Sequence, residues 1–271
     1  MPGGAPTSAT ADAGQWRCDL ASYVVGPALG GLITALGHPG LILLIDGLTY
    51  GVLLAVVAIA VPAHPATGSP ASGQAPDPPS RTGWAILRHA PAIASLLTVT
   101  FLFNLFYGPA EVAIPLLATS ALHAGSASIG VLWTGFGIGA LIGAAATTLL
   151  RRVRHLPLLL AIIAGWAASI AALAASPSVL VATLALAVGG LIYGPYTAVA
   201  YTVLQDALDP DEEQPVLTIW GAASAVAMPL GLGIGGPLVA AAGARGGLAV
   251  SAAVTALLVP FGARWVRARR A

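Results

Sequence analysis

Apolar runs long enough to cross a bilayer recur along this chain with little between them. A spanning helix needs about 20 mostly apolar residues. Eight candidate stretches can be marked, at roughly 16–36, 40–62, 92–119, 127–150, 157–175, 178–204, 216–241 and 247–265. In hydrocarbon, every backbone N–H and C=O must find its partner inside the protein, so runs of this length can only be helices. Charge agrees: 8% of the 271 residues are Asp, Glu, Lys or Arg, against about 25% in a soluble domain. The expectation is an all-α polytopic membrane protein of about eight transmembrane helices.

His64 to Arg81, rich in Pro, Ala, Ser and Gly, cannot bury a core and reads as a flexible linker. It divides the chain into a partial bundle of two helices over 1–62, a linker over 63–91, and a six-helix bundle over 92–271. Orientation follows from arginine, the only basic residue type used apart from histidine. With eight spans, one side of the membrane holds Arg17, Arg81, Arg88, Arg151, Arg152, Arg154, Arg264, Arg267, Arg269 and Arg270, and the other holds Arg245. The positive-inside rule then puts the linker and both termini in the cytoplasm, with the protein in the cell membrane. The first nineteen residues lack a basic start and an apolar core, so no cleavable signal peptide is expected.

The stretch Thr100–Ala118 (TFLFNLFYGPAEVAIPLLA) places a carboxylate, Glu111, within a spanning run. Asn104, Tyr107 and Glu111 are spaced i, i+3, i+7 and share one stripe of a helix. Pro115, four residues on, removes the N–H that would bond the Glu111 carbonyl. Such a stripe is tolerated only against protein or a water-filled cavity, and an ionisable group there is a functional candidate. Topology sets Glu111 about seven residues, roughly 10 Å, inside the outer end of its helix. Asp46 is a second acid within a span, with Thr49 and Tyr50 one turn on. A third group flanks Gly194–Pro195: Tyr193, Thr197 and Tyr201, spaced i, i+4, i+8, are expected to share a face lining an amphiphile's path. Snorkelling or ordinary packing is the competing reading of each of these residues.

The fourth run (Gly130-Val-Leu-Trp133-Thr-Gly135) and the seventh (Leu217-Thr-Ile-Trp220-Gly221) begin alike, and both continue through spaced glycines. They are the middle helices of two successive groups of three, as a 3+3 inverted repeat would require. Gly26, Pro27, Gly30 and Gly31 in the first run allow close helix packing, or a gating pair.

Val24-Val-Gly-Pro-Ala-Leu-Gly-Gly31 resembles the Gly-Pro-x-x-Gly-Gly core on the fifth helix of proton-coupled drug exporters. Ile45-Asp46-Gly-Leu-Thr-Tyr50 and Ser128-Ile-Gly130-Val-Leu through Gly143 resemble the sixth and eighth helices of the enterobactin-exporter-like and macrolide-exporter-like branch. The chain is thereby similar to a major facilitator superfamily transporter lacking its first four helices, two of one half joined to a complete second half. The resemblance covers about residues 20–265. It implies alternating-access export of small hydrophobic or amphiphilic compounds, coupled to protons, with the third and sixth runs lining the cavity. Where the family's loop before the seventh of the present helices runs into Arg-Gly-Arg-Val, this chain has Glu213-Gln-Pro-Val216.

The partners so implied are a small-molecule substrate, protons, the lipid bilayer, and either a missing N-terminal half or another chain. No cofactor is expected: there is no lysine for a phosphate-binding loop, no metal-ligand spacing among the five histidines, and no Gly-x-Ser-x-Gly elbow for a hydrolase. A net charge of +1 without a basic cluster gives no groove for nucleic acid. A non-transporting remnant or assembly partner, and the membrane subunit of an ATP-driven permease, stand as alternatives.

Overall fold

A computed structural model describes residues 39–60, 82–150 and 153–268, and every described element is helical. The first apolar run, with Gly26, Pro27, Gly30 and Gly31, lies outside the described residues, as does the His64–Arg81 stretch. In chain order the helices are α1 Pro39–Ala60, α2 Gly83–His89, α3 Pro91–Leu116, α4 Ala127–Leu150, α5 His155–Ala175, α6 Val179–Tyr193, α7 Tyr196–Gln205 and α8 Pro210–Ala268. A π-helical turn, Leu117–Ala121, closes α3. Five segments among the described residues are long and apolar enough to cross a membrane: Pro91–Ala121, Ala127–Thr147, His155–Ala175, Val179–Gln205 and Asp211–Ala263.

The last of these is folded back on itself. A straight helix of 53 residues would reach about 80 Å, far beyond the ~30 Å hydrocarbon core. Gly243 interrupts α8 with φ 72° and ψ 172°, a left-handed φ that glycine adopts without a Cβ clash. A Cβ added at Gly247 would lie 2.7 Å from Val239 Cγ2, although in a straight helix positions eight apart are about 12 Å distant. The chain therefore reverses at Gly243, giving two arms where the sequence shows separate apolar runs at 216–241 and 247–265.

Helices in lipid gain little from apolar burial against one another and rely on close backbone packing through small residues. Two pairs do so here. On α3 and the first arm of α8, a Cβ at Gly108 would meet the Gly231 carbonyl carbon at 2.3 Å, and one at Gly231 would meet the Leu105 carbonyl oxygen at 2.2 Å. On α4 and α6, a Cβ added at Gly139 would run into the Ala187 carbonyl oxygen, and one added at Gly190 into the Phe136 carbonyl oxygen. Trp166, Phe103, Leu132, Leu159 and Ile163 fill the fully buried interior between the pairs.

α2, counted above with the linker, is a helix because Ile86 finds cover. Ile86 is 2% exposed, and Gly83 seats against Pro215 and Ile219 at the start of α8. By contrast α1 presents apolar side chains on all sides, with Leu43 75% and Ile59 86% exposed. A helix that is apolar all round suits lipid or helix neighbours rather than water.

Candidate functional site

The chemistry gathers on α3, which runs through both of its internal prolines, Pro109 and Pro115. Pro109 offers no N–H to the Leu105 carbonyl, and that oxygen instead faces the Gly231 backbone. The neighbouring Phe106 carbonyl accepts a 2.6 Å hydrogen bond from the Ser251 hydroxyl on the second arm of α8. The backbone at the proline is thus covered by protein rather than lipid, as an apolar medium demands.

The expected stripe forms on the half-buried side of α3, with Asn104, Tyr107 and Glu111 all partly shielded. Tyr107 is hydrogen-bonded through its side chain to the Glu111 carboxyl group. The Asn104 amide donates to the Thr100 carbonyl at 2.8 Å. Beside it stands Tyr196, 2% exposed, its buried hydroxyl next to the Asn104 side chain.

This stripe borders an aromatic cluster built from five helices and centred on Tyr193. The ring of Tyr193 lies 5.3 Å from Trp166, 5.4 Å from Tyr196, 5.8 Å from Tyr107, 5.9 Å from Phe136 and 6.1 Å from Phe103, centroid to centroid. Phe103 and Tyr196 are closer still, at 4.6 Å, and Tyr107 stacks on Trp166 at 5.3 Å. Contacts of this kind contribute roughly 0.5–1.5 kcal/mol each beyond burial. The result is a packed apolar wall with one carboxylate at its edge.

Of the residues singled out from sequence, the structure brings Asn104, Tyr107, Glu111 and Tyr193 together. It does not bring Thr197 or Tyr201. The i, i+4, i+8 face is interrupted because α6 ends at Tyr193 and α7 begins at Tyr196, across a turn at Gly194–Pro195. Tyr196 therefore takes the inward place, while Thr197 is exposed. Tyr201 is 36% exposed and donates to Glu213 Oε1 at 3.3 Å, which also accepts the Gln205 amide at 2.5 Å. Asp46 is exposed on α1, and its backbone carbonyl accepts the Thr49 hydroxyl at 2.7 Å. Among the described residues no group of three or more His, Cys, Asp or Glu could hold a metal.

Phe103, Phe136, Trp166 and Tyr196 did not stand out in the sequence, because an aromatic residue in an apolar run carries no positional mark. A signal for two parts of the site was nevertheless present. The tripeptide Tyr107-Gly108-Pro109 recurs as Tyr193-Gly194-Pro195, and the structure sets the two copies face to face. Their tyrosine rings touch. Gly108 packs against the α8 backbone at Gly231, and Gly194 against the α4 backbone, where an added Cβ would lie 2.3 Å from the Ala140 carbonyl oxygen. Each copy thus packs its glycine against the backbone of a helix distant in the chain, the first on the first arm of α8 and the second on α4.

Residues 20–264 match the family model described as transmembrane secretion effector, within the major facilitator superfamily. The chain belongs to that family. It is a family of multi-pass membrane transporters rather than of enzymes. Relatives of the chain include macrolide efflux protein A of Streptococcus pyogenes, 25% identical over 216 residues, which cover 78% of this chain and 53% of the relative. Macrolide efflux protein A of Enterococcus faecalis is 24% identical over 216 residues, covering 78% of this chain and 66% of that protein. The chain thus spans about half the length of the Streptococcus relative. No solved structure matches it.

Proposed function

We propose that this chain carries the ion-coupled half of an exporter of small hydrophobic or amphiphilic compounds, working by alternating access and driven by proton influx across the cell membrane. The observation that supports it most is Glu111. It is a half-buried carboxyl group in a spanning helix, hydrogen-bonded to Tyr107 and set at the edge of the five-helix aromatic wall. A carboxyl group in that position takes up a proton when the cavity opens to the outside and releases it when the cavity opens inward. Tyr107 and Asn104 orient it, and the aromatic rings offer flat apolar surface to a substrate. The two Tyr-Gly-Pro segments, each at a proline that removes a helical hydrogen bond, are the points about which the two three-helix groups move against one another. The arginine distribution supports cytoplasmic termini. The names of the relatives make a macrolide the first substrate to try.

The test is accumulation of labelled erythromycin in an efflux-deficient bacterial host expressing the chain, with and without a proton gradient. Glu111→Gln keeps the size of the side chain and removes its charge. Export is expected to fall at least tenfold and to lose its response to the gradient, while Thr197→Ala stays near wild type. Gradient-driven export by Glu111→Gln at the wild-type rate would sink the assignment of Glu111.

The chain's coverage of 53% of the Streptococcus relative, together with the exposure of α1 on all sides, favours a second reading. In it, these helices act only when joined by further helices, or form a non-transporting remnant. That reading expects no export by the wild-type chain alone. Recovery on co-expression of additional helices separates an assembly partner from a remnant.

A further inference from the structure

Away from the aromatic wall, at the N-terminal end of α3, a cavity of about 520 Å³ opens between α2, α3 and the start of α8. Its walls are Trp84, Ala94, Leu97, Phe101 and Ile219, and Arg88 stands among them. The Thr98 hydroxyl, which also borders this space, donates its proton back to the Ala94 carbonyl at 2.8 Å. Among the described residues Arg88 has neither an ion-pair nor a hydrogen-bond partner. An apolar cleft with a single unpaired guanidinium calls for a ligand with a long apolar part and an anionic end.

Depth narrows the choice. The wall residues on α3 run from Ala94 to Phe101, about 10 Å of helix at 1.5 Å per residue. That lies within the ~15 Å of one leaflet of a ~30 Å hydrocarbon core. Trp84, exposed on α2, and Arg88 in its last turn are the residue types that anchor a helix at the membrane surface. The cavity therefore opens at headgroup level, on the arginine-rich face of the protein.

We propose that this cavity is a binding site for an anionic phospholipid of the leaflet on the arginine-rich face, its acyl chain between α3 and α8 and its phosphate on Arg88. The site is separate from Glu111 and does not depend on the chain's transporting anything. Seating α2 against α8 then depends in part on the lipid, since Trp84 and Leu87 border the same space.

Native mass spectrometry of the 271-residue chain, released from micelles holding equal amounts of phosphatidylglycerol and phosphatidylcholine, tests this. The wild-type chain is expected to retain phosphatidylglycerol about tenfold over phosphatidylcholine, or ~1.4 kcal/mol in preference. Arg88→Gln should bring that ratio near one, and Arg88→Lys should keep most of it. Ala94→Phe, which fills the cleft and leaves the cation, should cut phosphatidylglycerol retention several-fold. The proposal is overturned by equal retention of the two lipids, by a preference that survives Arg88→Gln, by unchanged retention in Ala94→Phe, or by a wild-type chain that holds neither lipid because another segment of the protein fills the cleft.

Discussion

Arg245 shows how one side chain holds this bundle. It crosses from the α8 reversal to the end of α5, where its guanidinium donates to the Ala174 carbonyl at 2.6 Å and the Ser176 carbonyl at 2.7 Å. The last carbonyls of a helix have no partner within it, so Arg245 completes α5 while pinning the second arm of α8. Each such charge-assisted bond contributes about 1.5–3 kcal/mol when its loss leaves a shielded group unpaired. Arg245→Ala is expected to destabilise the protein by about 2 kcal/mol or more and to lower its melting temperature in detergent by several degrees. Arg245→Lys should recover only part of this, because an ammonium cannot present two donors in a fixed fork. The sequence marked Arg245 only as an orientation signal. Its partners are 69 and 71 residues away, and no local pattern could name them.

At the scale of helices, the glycines separate into those that set a distance and those that do not. Gly231 and Gly233 are two positions apart on the same arm of α8. A Cβ at Gly231 would come within 2.2 Å of the Leu105 carbonyl, whereas at Gly233 it would meet nothing within 4 Å. Gly231→Ala must push α3 and α8 apart at the proline break beside Glu111, with an expected loss of about 1–3 kcal/mol. Gly233→Ala should stay within ~0.5 kcal/mol of wild type. Denaturant titration of the two purified variants measures the difference, and equal stabilities would show that the α3–α8 contact is not tight. The spaced glycines were legible as packing residues. Which of them meet a backbone was not, because helical phase relative to a neighbour is fixed by the neighbour.

For the whole molecule, the reversal at Gly243 decides topology. It places the α8 turn on the face opposite to the loop at Asp209, which joins α7 to α8. With Cys18→Ser as background, a cysteine introduced by Asp209→Cys and one introduced by Ala242→Cys should react with a membrane-impermeant maleimide from opposite sides. In intact cells only Ala242→Cys is expected to label, and both should label once the membrane is opened. Labelling of both in intact cells would contradict two arms crossing the membrane. The same arrangement brings His155 and Asp206 to 2.8 Å across the loops on the Asp209 side, tying the turn before α5 to the end of α7.

The sequence by itself determined the all-helical, multi-pass character of this protein, because a long apolar run leaves its backbone no other way to satisfy hydrogen bonds in lipid. It also determined the acid in α3 and its stripe with Asn104 and Tyr107, since helical spacing follows from position alone. Tertiary structure decided what that acid stands beside. Tyr193 reaches the Tyr107 ring, and Tyr196 rather than Thr197 turns inward, because the break at Gly194–Pro195 rotates α7 relative to α6 and close glycine contacts draw the helices together. The positions of neighbouring helices are set by packing between residues far apart in the chain, and that information is not contained in any one span.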